Sequence, residues 1–291
     1  MKLKFIMFCK TYTADLKRFE LLVASFHKHN KDNILLYVSV GEREFPTFEK
    51  FSSKNIKIIS DESYAKHYFA EDIYHNLPPG YINQEICKLS FWEIDLTHNY
   101  LCLDADCIFI RDFYVTDFMA DENTPYTVLV MDKDLSIEKH YHEFWNRRQS
   151  FIQKIYDQIG LDDKRLRTCH GMQVLNSKVL KSLKEDFMQK NNLTYVDLIK
   201  IAPYEFTWYN VWFQKCNLVK EYAVEPFFKT FHMRIEYNLS RLKLLKEDDL
   251  ARAYVGMVLN SNWGNKKNPF KYKNPGFISK VLYKCLKKLK W

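Results

Sequence analysis

The stretch Tyr100–Phe113, YLCLDADCIFIRDF, decides how the chain is read. Its apolar residues cluster and alternate as in a buried strand, yet Asp104 and Asp106 interrupt it one residue apart. In a strand, positions 104 and 106 project from the same face, so two like charges would share one small volume. One buried carboxylate is costly, and two close together cost more. A divalent cation offsets that repulsion, and carboxylate oxygens suit hard ions such as Mg²⁺ or Mn²⁺. The run YLCL would deliver the pair to a strand's carboxyl end, where ligands bind in open α/β sheets. An Asx-turn or a solvated strand end is the plainer reading of the same residues.

The flanking segments place this stretch in an α/β chain. LKFIMFC (3–9) reads as a buried strand, and TADLKRFELLVASFHKHN, opened by Thr13, as a helix with apolar residues at helical spacing. Strands at 33–40 and 56–60 follow, then a helix over 82–96 that leads into the acidic stretch. This order predicts a largely parallel sheet. Further on, the pattern predicts a strand at 125–132, a long helix over 136–160 stopped by Gly160, and a short strand at 172–176. It then predicts a helix over 177–189 capped by Ser177, an aromatic helix over 205–216, and an edge strand at 222–228 containing Pro226. A last helix over 240–257 would be capped by Ser240.

Composition narrows the function classes. Of 291 residues, 47% are hydrophobic, with 22 Phe, 19 Tyr and only 7 Gly, which excludes disordered and collagen-like chains. The seven cysteines form no CxxC pair and read as reduced, buried thiols of a cytosolic protein. The apolar run in MKLKFIMFCKTY is too short for a signal segment, and no run of ~18 or more apolar residues occurs. The net charge of +8 is concentrated after Asp249, where Arg252 and nine lysines meet no acid, leaving the first 249 residues at −2. A nucleic-acid-binding domain would carry its basic charge on the folded surface, so no nucleic-acid partner is expected. GxSxG, HExxH, Walker and GxGxxG patterns are absent.

Several residues stand where a ligand would bind. Thr11, Tyr12 and Asp15, in KTYTAD, follow the first strand at the edge where nucleotides dock, although Thr13 and Asp15 also suit a plain helix start. Lys88 and Gln84 share a helix face ahead of the acidic pair, and a buried Lys88 would reach a phosphate or a sugar. CHGMQVLN sets His170 and Gln173 around Gly171, which allows close backbone approach; a turn is the bland alternative. Glu205 opens the aromatic helix, where the helix dipole favours a carboxylate in any case. Tyr204, Trp208 and Tyr209 beside it suit stacking on sugar rings.

YLCLDADCIFIRDF resembles the DXD segment of GT-A-fold bacterial glycosyltransferases that use nucleotide sugars, a largely uncharacterised group often linked to capsule and lipopolysaccharide assembly. KTYTADLKRFELLVASF, GYINQEICKLSFWEID, HGMQVLN and PYEFTWYNVWF add to the likeness, which spans most of residues 1–235. It implies a GT-A-like, Rossmann-type mixed sheet flanked by helices over 1–235; a helical extension packed on that domain (236–273) and a basic tail (274–291) are expected beyond the likeness. It further implies transfer of a sugar, from UDP by expectation, to a saccharide or lipid-linked acceptor. Asp106 would be the direct metal ligand and Asp104 would bind metal or ribose, with His232 as a further ligand and Mn²⁺ or Mg²⁺ as the ion. NQEICKL matches a Q-x-x-x-K-L pattern that puts Lys88 on a phosphate or the sugar; by their positions Thr11, Tyr12 and Asp15 are candidates for the base and ribose, and His170 or Gln173 for the donor sugar or the acceptor. Glu205 takes the place of an acceptor-side acid, ahead of Asp132 and Asp134, and would be base or binder according to whether the reaction inverts. Two other readings of the residues are a metal-dependent nucleotidyltransferase or phosphohydrolase, and a non-enzymatic membrane adaptor.

The tail NPGFISKVLYKCLKKLKW (274–291) spaces apolar residues helically between lysines and ends in Trp291. It reads as an amphipathic helix lying on an anionic membrane surface. With the cytosolic cysteines, this predicts peripheral attachment to the inner face of the cytoplasmic membrane.

Overall fold

A computed structural model describes residues 3–137, 139–163, 165–169 and 171–259, with 281, 284 and 285. The tail expected at 274–291 lies outside the described residues, apart from Val281, Lys284 and Cys285, which are helical. His170 also lies outside them.

Strand β1 (Leu3–Lys10) passes through a short 3-10 turn into α1 (Leu16–His29), whose Phe19, Leu22 and Phe26 are buried. β2 (Leu36–Val40), the one-turn α2 (Phe45–Phe48) and β3 (Ile56–Ser60) follow. α3 (Pro79–Ser90) starts with proline at its first turn, where the missing N–H has no intrahelical partner to lose. It leads to β4 (Thr97–Asp104). β1, β2, β3 and β4 are mutually parallel in the order β3-β2-β1-β4, and β7 (Gln173–Asn176) adds an antiparallel edge beside β4. The fold class is therefore α/β with a mixed, parallel-rich sheet flanked by helices.

The acidic stretch is not one strand. β4 stops at Asp104, Ala105 and Asp106 form a turn, and β5 (Cys107–Phe109) enters a different sheet. In that second sheet β5 pairs with Gly256–Val258, which in turn pairs with Phe228–Lys229. Strand alternation thus does not place the two carboxylates; a turn between sheets does.

The region expected as a strand at 125–132 shortens to β6 (Thr127–Val128); Val130 pairs instead with Thr168 in an isolated bridge, and Asp132 adopts a left-handed φ of 49°. α4 (Lys139–Ile159) ends at Gly160, whose φ of 69° suits a residue without Cβ. After β7, Asn176 rather than Ser177 caps α5 (Ser177–Ser182): its side chain accepts from Lys178 N–H at 3.0 Å and Val179 N–H at 3.3 Å. A π-helical turn continues to Met188. Unforeseen from the pattern, α6 (Tyr195–Ile201) follows, held by a Thr194–Asp197 capping box. α7 (Glu205–Cys216) runs as the aromatic spacing predicts, with every residue from Glu205 to Phe213 buried.

Pro226 splits the expected edge strand into β8 (Ala223–Val224) and β9 (Phe228–Lys229), which join different sheets. The helix expected over 240–257 does not form. α8 (Arg234–Arg241) has Ser240 inside its last turn, and Lys243 breaks the helix at φ 57°. α9 (Glu247–Leu250) is one turn, and β10 (Gly256–Val258) is a strand. Gly256 suits the strand. A Cβ there would lie 2.3 Å from the Phe228 ring and 2.4 Å from the Ile108 carbonyl, so the strand needs glycine to sit between β5 and β9. No described helix is long and apolar enough to cross a membrane.

Candidate active site

Lys88, Asp104 and Glu205 are distant in sequence and meet at the carboxyl end of β4. Lys88 Nζ donates to Asp104 Oδ1 at 2.9 Å and to Glu205 Oε1 at 2.8 Å. Lys88 is only 3% exposed and Glu205 8%. The Phe206 ring lies under the ammonium at 4.9 Å. Burial alone would pull the Lys88 ammonium down, but Asp104 and Glu205 outweigh it and hold it well above the usual lysine range.

The fold positions each member. The buried Tyr100 hydroxyl of β4 donates to the Lys88 carbonyl at 2.8 Å, seating the end of α3 on the strand. The Asn176 backbone N–H donates to the Tyr209 hydroxyl at 3.0 Å, and the Asn176 side chain donates to Asn99 Oδ1 at 2.8 Å. These two bonds tie α7, and with it Glu205, to β7 and β4. Trp208 and Tyr209 are consequently core residues, not sugar platforms: Trp208 Nε1 donates to the carbonyls of Leu198 and Ala202. Tyr204 remains partly exposed, edge-on to Phe151 at 5.8 Å.

Asp106 and Asp15 add negative charge beside this bridge. Burial, then Asp104 and Asp15, pushes the Asp106 carboxyl up to about 7, against Arg18. Burial likewise raises Asp15, although Arg18 donates to it at 2.7 Å. Of the expected donor contacts, Asp15 thus faces the acidic pair. Thr11 is buried with its hydroxyl unpaired, and Tyr12 is exposed. Gln173 uses its whole amide inside the protein, accepting from the N–H groups of Val128 and Val174 and donating to the Val128 carbonyl and Asn210.

His232 stands elsewhere. Its Nδ1 is 2.7 Å from Asp134 Oδ2, and both residues line a cavity of about 540 Å³ with Asp132, Gly171 and Thr230. Neither Asp104 nor Asp106 lines that cavity. Asp132 is paired with the buried Arg148 at 3.0 Å. Among the described residues no three His, Cys, Asp or Glu side chains gather closely enough to hold a metal ion, so His232 and the acidic pair do not form one closed ligand set. Asp104 and Asp106 by themselves fit a hard cation: a desolvated carboxyl raised by its acidic neighbours is stabilised by any positive charge beside it.

All seven cysteines are unpaired, and Cys9, Cys102 and Cys107 are buried near the acidic pair with thiols raised first by burial. Sequence reasoning passed over Arg18 and Glu85. The visible signal for each was its spacing of three residues, from Asp15 and from Lys88 respectively.

The chain belongs to a family of unknown function, DUF6492, whose model matches residues 1–253. No curated protein matches it. Among solved structures, mouse xyloside xylosyltransferase 1 in its apo form is similar at a TM-score of 0.47 and 8% identity, over 89% of this chain and 98% of that one. The glycosyltransferase GlyE of Streptococcus pneumoniae is similar at 0.48 and 14% identity, over 98% and 60%. The bifunctional glycosyltransferase WbbM in its apo form is similar at 0.49 and 11% identity, over 91% and 47%. The chain spans 60% or less of the length of the last two. These likenesses pass no activity to this chain.

Proposed function

We propose that the protein is a metal-dependent glycosyltransferase that moves a sugar from a nucleotide-diphosphate donor, UDP-linked by preference, to a saccharide acceptor of bacterial surface polysaccharide or lipopolysaccharide. The observation that carries this reading is the Lys88 bridge, which joins an acid of the DXD turn to the carboxylate opening α7. A cation for a diphosphate and a carboxylate for an acceptor hydroxyl are thereby set side by side at the strand ends.

Asp104 and Asp106 would hold Mn²⁺ or Mg²⁺, which supplies Lewis-acid neutralisation of the departing diphosphate. Lys88, itself buried, adds a fixed positive charge next to them. Glu205 orients the acceptor hydroxyl and, in an inverting reaction, takes its proton at Oε2, since Oε1 is engaged by Lys88. Asp15 and the exposed Tyr12 stand at the edge of β1 for the nucleoside.

The test is calorimetry of the full chain with UDP and Mn²⁺. The wild type is expected to bind UDP only with the ion, and Asp106→Ala to lose at least tenfold in affinity. Equal binding by the two proteins would refute the reading.

A further inference from the structure

Glu85 lies on α3 one turn before Lys88 and is 2% exposed. Neither of its carboxyl oxygens has a hydrogen-bond partner in the protein, and the Tyr81 hydroxyl lies near it without meeting hydrogen-bond geometry. A glutamate three residues before a lysine on a helix commonly pairs with it. Here Lys88 passes Glu85 over and reaches instead to Asp104 and Glu205. A buried carboxylate with no donor is costly, and one that faces a second carboxylate is costlier still.

We propose that Glu85 is a positioning residue for the Lys88 bridge: buried one turn away with no hydrogen bond to the ammonium, it leaves Lys88 to Asp104 and Glu205. Burial first, and then Glu205, pushes the Glu85 carboxyl well above the usual range, against the pull of Lys88. The titratable and charged groups that face it are Tyr81 and Lys88 on α3, with Tyr204 and Glu205 at the start of α7. An ionised Glu85 would add a third carboxylate competing for one ammonium and loosen its hold on Asp104. The role of the bridge in donor binding rests on the transferase reading; the state of Glu85 does not.

The experiment compares the full-length wild type with Glu85→Gln, an uncharged side chain of the same shape. A carboxyl raised in the folded state keeps a proton that the unfolded chain releases, so its contribution is present below the unfolded pKa of about 4.3 and is lost as pH rises. The Tm advantage of Glu85→Gln over wild type is therefore expected to widen from pH 5 to pH 8. In ¹⁵N-lysine-labelled protein, the Lys88 ammonium signal (assigned by its loss in Lys88→Met) is expected to keep the same shift in Glu85→Gln as in the wild type at neutral pH, as an uncharged Glu85 gives. Parallel Tm curves, as an ionised and hydrated Glu85 would give, overturn the proposal, and so does an ammonium signal displaced by Glu85→Gln. A third arm measures UDP affinity with Mn²⁺ at neutral pH, expected to be equal in the two proteins. If neither protein binds UDP, the transferase reading fails while the first two arms still decide Glu85.

Discussion

Lys88 is surrounded by acids, and its two bonds hold opposite sides of the site together. Replacing it with methionine would leave Glu205 buried without its cation, a loss of about 3 kcal/mol for a buried pair broken on one side. Urea denaturation is expected to show that loss for Lys88→Met, and a midpoint within error of wild type would contradict it. Asp106 behaves oppositely, because its charge is disfavoured in the metal-free protein. Asp106→Asn is expected to raise the Tm without metal and to abolish any increase on adding Mn²⁺; a fall in the metal-free Tm would count against the picture of crowded carboxylates. In the sequence, Asp104 and Asp106 were visible because two acids in an apolar run are anomalous. Glu85 was not, because a glutamate on an amphipathic helix is ordinary until its face is known to be buried.

At the scale of elements, periodicity served well where one pattern ran unbroken. β3 and α7 fall where the spacing puts them, since each buries a continuous apolar face. It failed over 240–257, where leucines at helical spacing serve two short helices and a strand instead. Leu250 and Met257 pack with Leu135, Phe231 and Tyr237 in a second small core that no local pattern announces. Gly256 is the hinge of that arrangement. Gly256→Ala is expected to cost about 1–3 kcal/mol, because the added methyl meets backbone at Ile108 as well as the Phe228 ring. Thermal unfolding of the variant measures this, and an unchanged Tm would mean that β5 and β9 separate freely. β10 lies between β5 and β9, both of which precede residue 235, so residues 256–258 complete a sheet begun earlier in the chain.

For the whole molecule, charge is the separate consideration. Residues 1–249 carry a net charge of −2 and the last 42 residues carry the excess lysine. We propose that residues 274–291 hold the protein on an anionic membrane, each lysine near the surface contributing about 1 kcal/mol. Deletion of 274–291 is expected to release the protein from vesicles containing phosphatidylserine in a flotation assay; equal flotation of both forms would remove the idea. The chain by itself determined the α/β class, the lopsided charge and the acidic pair, because apolar periodicity, composition and a costly local pattern are all written along one dimension. The tertiary structure alone decided that the pair sits in a turn between two sheets, that Lys88 links it to Glu205, that His232 faces Asp134, and that Trp208 and Tyr209 are core. Each of these depends on which faces are buried against which, and burial is set by residues far apart in sequence, not by neighbours along the chain.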